Sequence, residues 1–193
     1  MSTVHLVDIV DSTITDKNTL HSYLDTYTML FSSKKETAKK VLEVGIQRGG
    51  SIKLWRDYFT NAMIYGIDLE KLEPEVPESL RTDPYVVLYT EVDAYDPIWI
   101  KENFIDTGVK FDILIDDGPH TYTSMANFIE RYLPILDDDG ILVIEDIPQI
   151  HWTEYLLNVV PEEYRKYVDI YDLRGNKRRY DDIMFVINKN KTL

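Results

Sequence analysis

The sequence predicts an α/β protein built on a doubly wound, mostly parallel seven-stranded sheet with an antiparallel strand at its C-terminal end. Three observations predict it. Short aliphatic runs recur and close on acids: Val-Leu-Glu-Val-Gly (41–45), Ile-Tyr-Gly-Ile-Asp (64–68), Phe-Asp-Ile-Leu-Ile-Asp-Asp-Gly-Pro-His (111–120) and Gly-Ile-Leu-Val-Ile-Glu-Asp (140–146). Such runs read as strands buried on both faces, with polar groups at their carboxyl ends. Strand-like and helix-like segments alternate five times, which is the order of βαβ units. The last two strand-like runs, 167–173 and 183–187, have no helix between them, so the chain finishes with an antiparallel strand.

Taken in order, residues 1–14 are mixed in character and read as peripheral. Over 18–31 the apolar positions Leu20, Tyr23, Leu24, Tyr27 and Leu30 recur at three and four, the spacing of an amphipathic helix. Strand one is expected at 41–46, and Gly49-Gly50 open a helix to about Phe59. Strand two is expected at 63–68. Three prolines (Pro74, Pro77, Pro84) make 70–84 a loop with at most a short helix. Strand three comes next at 85–89, and Pro97 opens a helix to about Phe104. Strand four spans 111–116, a helix spans 122–133, and Asp137-Asp138-Asp139-Gly140 reads as a turn. Strand five is expected at 141–145 and a helix at 152–160, ended by Pro161. The link between the last two strands carries a Gly175-Asn176 hairpin signal. No linker or repeat interrupts the chain, so 1–193 reads as one domain.

Composition narrows function. The chain has 193 residues, 44% hydrophobic and 28% charged, which is globular rather than disordered. Its formal net charge of −13 argues against nucleic acid and against anionic membranes as partners. With no cysteine there is no disulfide, thiolate nucleophile or zinc-thiolate site, and the reading suits a reducing cytoplasm. The opening Met-Ser-Thr-Val-His-Leu lacks a basic segment followed by an apolar one, so no signal peptide is expected. No apolar run reaches the roughly 20 residues that span a bilayer.

The carboxyl edge of the sheet carries the chemistry, because that edge is where ligands bind in open α/β sheets. Gly45 permits a tight turn and close approach to a ligand. The turn lacks the Gly-Lys-Ser/Thr of a phosphate loop, and Gln47 replaces the second glycine of Gly-x-Gly-x-x-Gly. Glu43, two residues earlier, would repel phosphate and attract an ammonium or sulfonium. Asp68, ending strand two, can accept hydrogen bonds from both hydroxyls of a ribose. Asp116 and Asp117 after strand four should converge with Glu145 and Asp146 after strand five. So many carboxylates repel one another unless a cation or proton intervenes, and oxygen donors suit Mg²⁺ or another divalent cation. His120, three residues beyond Asp117, can serve as a general base near neutral pH. Arg174, Lys177, Arg178 and Arg179 form the one basic cluster, either a solvated loop or an anion site.

These residues together resemble the class I S-adenosylmethionine-dependent methyltransferases, a Rossmann-like fold, over residues 38–190. Glu43-x-Gly45 is similar to their first motif and Asp68 to their ribose-binding acid, and Asp93 falls where such enzymes contact adenine. Asp117-Gly-Pro-His120 with Glu145-Asp146 resembles more narrowly the metal-dependent sugar O-methyltransferases of macrolide biosynthesis, a clan that includes cephalosporin hydroxylase-like proteins; Pro119 stands where that family commonly has Ser. The resemblance implies Asp117, Glu145 and Asp146 as Mg²⁺ ligands, His120 with Asp117 as the catalytic pair, and Asp116 beside the cofactor. It also implies that the Thr15-Asp-Lys17…His21-x-Tyr23 stretch, within an N-terminal cover of 1–37, contributes Lys17, His21 and Tyr23 as cofactor or substrate contacts. The implied activity is methyl transfer from S-adenosylmethionine to a deoxysugar hydroxyl such as that of rhamnose. The alternatives are a catechol-type O-methyltransferase and a non-catalytic cofactor-binding or assembly protein of the same fold. A homo-oligomer, or a place within a larger glycan-modifying protein, is compatible with all of them.

Overall fold

The computed structural model describes residues 4–191. Its strands are β1 (Lys40–Val44), β2 (Met63–Ile67), β3 (Val86–Tyr89), β4 (Phe111–Asp116), β5 (Leu136–Ile144), β6 (Val168–Asp172) and β7 (Ile183–Asn188). Its helices are α1 (Leu24–Phe31), α2 (Gly50–Tyr58), α3 (Glu78–Thr82), α4 (Pro97–Ile100), α5 (Tyr122–Tyr132), α6 (Trp152–Val159), α7 (Glu162–Arg165) and α8 (Arg174–Lys177). The strands form one sheet in the order β3-β2-β1-β4-β5-β7-β6. The pairings β1–β2, β1–β4, β2–β3 and β4–β5 are parallel, and β7 runs antiparallel to both β5 and β6.

Side-chain alternation explains why the central strands read as unbroken apolar runs. Val41, Ile113, Ile115, Ile141, Val143, Met184 and Val186 point to one face, where α1 and α2 bring Tyr27, Phe31, Ile52 and Trp55. Leu42, Val44, Leu114, Leu142, Ile144, Phe185 and Ile187 point to the other, against Phe104, Phe128, Ile129 and Leu156. With two covered faces, both sets of alternating positions must be apolar. Each fully buried aliphatic or aromatic side chain contributes about 1.5–3 kcal/mol relative to exposure, so this two-sided core holds the strand ends in fixed register.

Several elements differ from the sequence reading. The helix expected over 18–31 begins only at Leu24. Leu20, counted in its apolar stripe, is exposed, and the Asp16 carbonyl accepts the N–H groups of Thr19, Leu20 and His21 in a tight turn. That turn directs Lys17 and His21 inward. Residues 4–14 are not wholly peripheral, since Leu6 is fully buried and its N–H donates to Thr28 Oγ1 at 3.0 Å. Asp137-Asp138-Asp139-Gly140 lies within β5, where the ladder shifts register between Phe111 and Ile113 and a bulge absorbs the acids. The Gly175-Asn176 signal falls in the short helix α8 and not in a hairpin turn, because the connection from Asp172 to Ile183 is too long for a two-residue loop. After α4 the chain continues as a wider helical turn, Lys101–Ile105.

Candidate active site

The strand order places the switch point between β1 and β4. The connection after β1 leads toward β2, while β4 lies on the other side, and a crevice opens at their carboxyl ends. A cavity of about 490 Å³ occupies that crevice, within the range of small-molecule sites. Its walls come from the turn after β1 (Gly45, Ile46, Gln47), Asp68 after β2, Asp93 and Tyr95 after β3, Asp117 to His120 after β4, and Asp146 after β5. Ile14, Thr15 and Asp16 close it from the N-terminal segment.

The turn after β1 is built for close approach. Gly45 has φ +99°, and a Cβ there would lie 2.2 Å from the Asp117 carbonyl oxygen. A Cβ on Gly50 would lie 2.2 Å from the Ile14 carbonyl, so the missing side chain lets the N-terminal strap cross the start of α2. Asp68 Oδ2 accepts the N–H groups of Ile46 (2.8 Å) and Gln47 (3.1 Å), and its Oδ1 accepts that of Glu70 (2.9 Å). This one carboxylate therefore shapes the turn as well as facing the cavity. Gln47, His120 and Asp146 all have positive φ, at 44°, 52° and 53°. Left-handed non-glycine residues cost about 1–3 kcal/mol each and cluster at functional sites. The capped start of α5 fixes His120 in place. Thr121 caps that helix by accepting the Ser124 N–H at 3.1 Å, and Ser124 Oγ accepts the Thr121 N–H at 3.1 Å.

Asp117, His120 and Asp146 meet at the cavity. His120 Nε2 lies 3.8 Å from Asp117 Oδ1 and 3.6 Å from Asp146 Oδ2, and one donor atom from each of the three falls within 4.8 Å of the other two. The two carboxylates, with open sides, fit a divalent cation that retains water or takes substrate oxygens, and the imidazole stands beside them, free to act on a group bound there. Behind this group lies a buried layer. Lys17 Nζ sits 2.7 Å from Asp117 Oδ2 and 3.3 Å from Glu43 Oε1, and it also bonds Glu145 Oε2. Tyr27 donates its hydroxyl to Glu145 Oε1, and Tyr23 donates to Asp146 Oδ1. His21 Nδ1 lies 2.7 Å from Asp182 Oδ1 and 3.1 Å from Asp146 Oδ1.

Burial pushes the Glu43 carboxyl up to about 7, with Lys17 opposing and Asp117 assisting. Burial, with Asp117, Asp146 and Glu43 nearby, holds Glu145 well above the usual carboxylate range despite Lys17. Asp146 is raised by burial and by Asp117. For Lys17, burial favours the neutral amine, but the charges of Asp117, Glu145 and Glu43 outweigh it and hold the ammonium well above the ordinary lysine value. The cluster is short of positive charge, which favours uptake of a cation.

The structure sorts the residues singled out in the sequence into two shells. Gly45, Asp68, Asp93, Asp117, His120 and Asp146 line the cavity. Glu43, expected at the cofactor, is instead fully buried, with its Oε2 accepting the Trp55 indole N–H at 3.0 Å and its Oε1 facing Lys17. Asp116, expected beside the cofactor, turns back to accept the Tyr95 hydroxyl at 2.5 Å. Both oxygens of Glu145, expected as a metal ligand, are engaged by Lys17 and Tyr27. Lys17, His21 and Tyr23 contact the acids but are not among the residues that line the cavity. The basic cluster is largely paired: Arg174 with Asp172, Arg179 with Asp181, and Lys177 with the carbonyls of Asn18 and His21. Sequence reasoning missed Tyr27, Tyr95 and Asp182. Tyr27 carried only a helix-period signal, and Asp182 meets His21 from 161 positions away.

A seven-stranded sheet of this order, with an antiparallel seventh strand and a glycine turn followed by acids at its switch point, defines a Rossmann-like methyltransferase fold. A methyltransferase-domain family matches residues 42–147, and the chain belongs to that family. Among curated proteins, it is 28% identical over 148 residues to the 8-demethyl-8-alpha-L-rhamnosyl tetracenomycin-C 2'-O-methyltransferase of Streptomyces olivaceus, covering 72% of this chain and 37% of that protein. It is 25% identical over 151 residues to the mycinamicin VI 2''-O-methyltransferase of Micromonospora griseorubida, covering 75% and 36%. The chain thus spans about a third of the length of these relatives. Among solved structures, the MycE methyltransferase in complex with Mg, SAH and mycinamycin VI superposes with TM-score 0.71 at 21% identity, over 96% of this chain and 53% of that one. Among the described residues no helix is long and apolar enough to cross a membrane.

Proposed function

We propose that this chain is an S-adenosylmethionine-dependent O-methyltransferase acting on a sugar hydroxyl, most simply that of a deoxysugar such as rhamnose, with Mg²⁺ or another divalent cation. The observation that carries the reading is the meeting of Asp117, His120 and Asp146 at the floor of a switch-point cavity rimmed by Gly45 and Asp68. The names of the relatives supply the acceptor class, since they methylate rhamnosyl and mycinamicin glycosides. We read the chain as one methyltransferase domain at work in a cytoplasm, with 1–37 as an N-terminal cover and 38–193 as the core; Ile14, Thr15 and Asp16 at the cavity and the strap over Gly50 support that division.

In this account S-adenosylmethionine supplies the methyl group, and a bound divalent cation supplies Lewis acidity that makes the acceptor hydroxyl easier to deprotonate. The chain's own residues do the rest. Asp68 accepts hydrogen bonds from ribose hydroxyls on the side left free by Ile46 and Gln47, and Asp93 borders the same cavity. Gly45 lets the backbone close on the cofactor without a side chain in the way. Asp117 and Asp146 hold the cation. His120, set by the capped start of α5, takes the acceptor proton at Nε2. Holding the two reacting groups in line provides much of the acceleration.

The test is methyl transfer from labelled S-adenosylmethionine to a panel of rhamnosides and catechols. Transfer to a rhamnoside is expected. Transfer to catechols alone would move the chain to the catechol-type class, and cofactor binding without transfer to any acceptor would favour the non-catalytic reading.

A further inference from the structure

Asp117 belongs to two groups of donors at once. The outer group, with His120 and Asp146, faces the cavity. The inner group is Glu43, Asp117 and Glu145, and its donor atoms also lie within 4.8 Å of one another. Three carboxylates at that spacing have the size and donor set of a second divalent-cation site. The Lys17 ammonium fills it. Nζ is 2.7 Å from Asp117 Oδ2, 3.3 Å from Glu43 Oε1 and bonded to Glu145 Oε2, with the side chain 2% exposed. One trace of an imperfect substitution remains: Glu43 Oε1 is fully buried and has no hydrogen-bond partner. The ammonium donates hydrogen bonds to Asp117 and Glu145, while Glu43 Oε1, at 3.3 Å, is met by its charge alone.

The ammonium arrives from outside the sheet. Lys17 sits on the strap before α1, which crosses Gly50 at Ile14 and is gripped from the β6–β7 connection, where Lys177 Nζ donates to the His21 carbonyl at 2.6 Å. Ser22 Oγ also donates to Asp182 Oδ2, at 2.7 Å. Docking of the strap therefore completes the inner group.

We propose that Lys17 is a positioning residue, a built-in cation that occupies the inner half of a two-cation acid cluster, limits the site to one divalent ion at the outer half, and turns Asp117 Oδ1 toward that half. The proposal rests on the metal reading above. Removing the ammonium leaves the buried Glu43 and Glu145, with the partly exposed Asp117 beside them, without a counter-charge, which is strongly unfavourable unless a cation replaces it.

The experiment is a Mn²⁺ titration of the chelator-treated chain, counted by loss of the free-ion electron paramagnetic resonance signal and paired with thermal melting. The wild type should bind one ion, lost in Asp146→Asn. Lys17→Met should bind two, and the double variant K17M/D146N should keep one. Lys17→Arg, which retains a cation, should bind one. Lys17→Met should melt lower than wild type without metal and recover with Mn²⁺. A Lys17→Met protein that binds one ion with wild-type affinity, lost in K17M/D146N, overturns the proposal and leaves the metal reading standing. So does a Lys17→Met protein that stays unfolded in saturating Mn²⁺ while Lys17→Arg folds. If the wild type binds no ion but Lys17→Met binds one, the inner half is supported and the outer-site reading fails; if neither binds, both fail.

Discussion

Replacing Asp68 by alanine should be felt twice, in cofactor affinity and in stability, and the two effects should separate in Asp68→Asn. The Asp68 carboxylate accepts three backbone N–H groups, two of them in the turn after β1, and it also borders the cavity. A hydrogen bond to a charged group is worth about 1.5–3 kcal/mol. Loss of one such bond to a ribose hydroxyl should therefore weaken S-adenosylhomocysteine binding by about 10–150-fold. In the free protein the N–H groups of Gln47 and Glu70 are exposed and can turn to water, whereas that of Ile46 is partly buried. The alanine variant should then lose about 1–2 kcal/mol of stability, and Tm should fall by about 2–8 °C for a chain of this size. Asparagine keeps a carbonyl for the turn and lacks the charge, so it should restore most of Tm while affinity stays reduced. Calorimetry and differential scanning fluorimetry read the two quantities. An unchanged affinity in Asp68→Ala at a lowered Tm would leave Asp68 a turn residue only and remove it from the cofactor site.

Other expectations rest on the same geometry. His120→Gln should lower turnover by about 10²–10⁴ with Mn²⁺ and S-adenosylhomocysteine binding retained; near-normal turnover across pH 6–9 would place the base elsewhere. Gly45→Ala must move the Asp117 carbonyl away from a 2.2 Å contact at φ +99°, so it should destabilise by roughly 2–4 kcal/mol, a loss that an equal melting curve would contradict. Asp116 is buried and pushed up to about 7, mainly by burial, against the Tyr95 hydroxyl that lowers it. Because the folded state holds this proton more tightly than the unfolded chain, stability in chelator should fall as pH rises between about 4 and 7, by up to about 1.4 kcal/mol per unit. Asp116→Asn should flatten that segment of a denaturation-versus-pH series, and an unaltered slope would show that Asp116 does not carry it.

The parallel sheet was legible because burial on two faces demands long apolar runs, and few other arrangements tolerate Val-Leu-x-Val or Ile-Leu-Val-Ile beside short loops. The cavity-facing residues were legible for a related reason: acids at the ends of such strands gather at the ligand edge, although of each adjacent pair only Asp117 and Asp146 face the cavity, while Asp116 and Glu145 turn away from it. What the sequence hid is long-range. Glu43 sits among apolar neighbours at a strand end, and nothing local shows that Trp55 and Lys17 would enclose it. The apolar spacing of Leu20 with Tyr23 and Leu24 mimicked a helix start, while the decisive interactions there are the inward ones of Lys17 with Asp117 and His21 with Asp182, between residues at least a hundred positions apart. The basic cluster resembled an anion site because its partners, Asp172, Asp181 and the carbonyls of the strap, are assigned only by folding.

The central claim is metal-assisted methyl transfer at the Asp117–His120–Asp146 site, and its most direct test is transfer to a rhamnoside acceptor in excess chelator and after Mg²⁺ is restored, in the wild type and in Asp146→Asn. Transfer should vanish with chelator, return with Mg²⁺ in the wild type, and stay absent in Asp146→Asn while S-adenosylhomocysteine affinity changes little. Full transfer in excess chelator, or an Asp146→Asn enzyme as active as the wild type, would contradict it and leave these acids with a structural role.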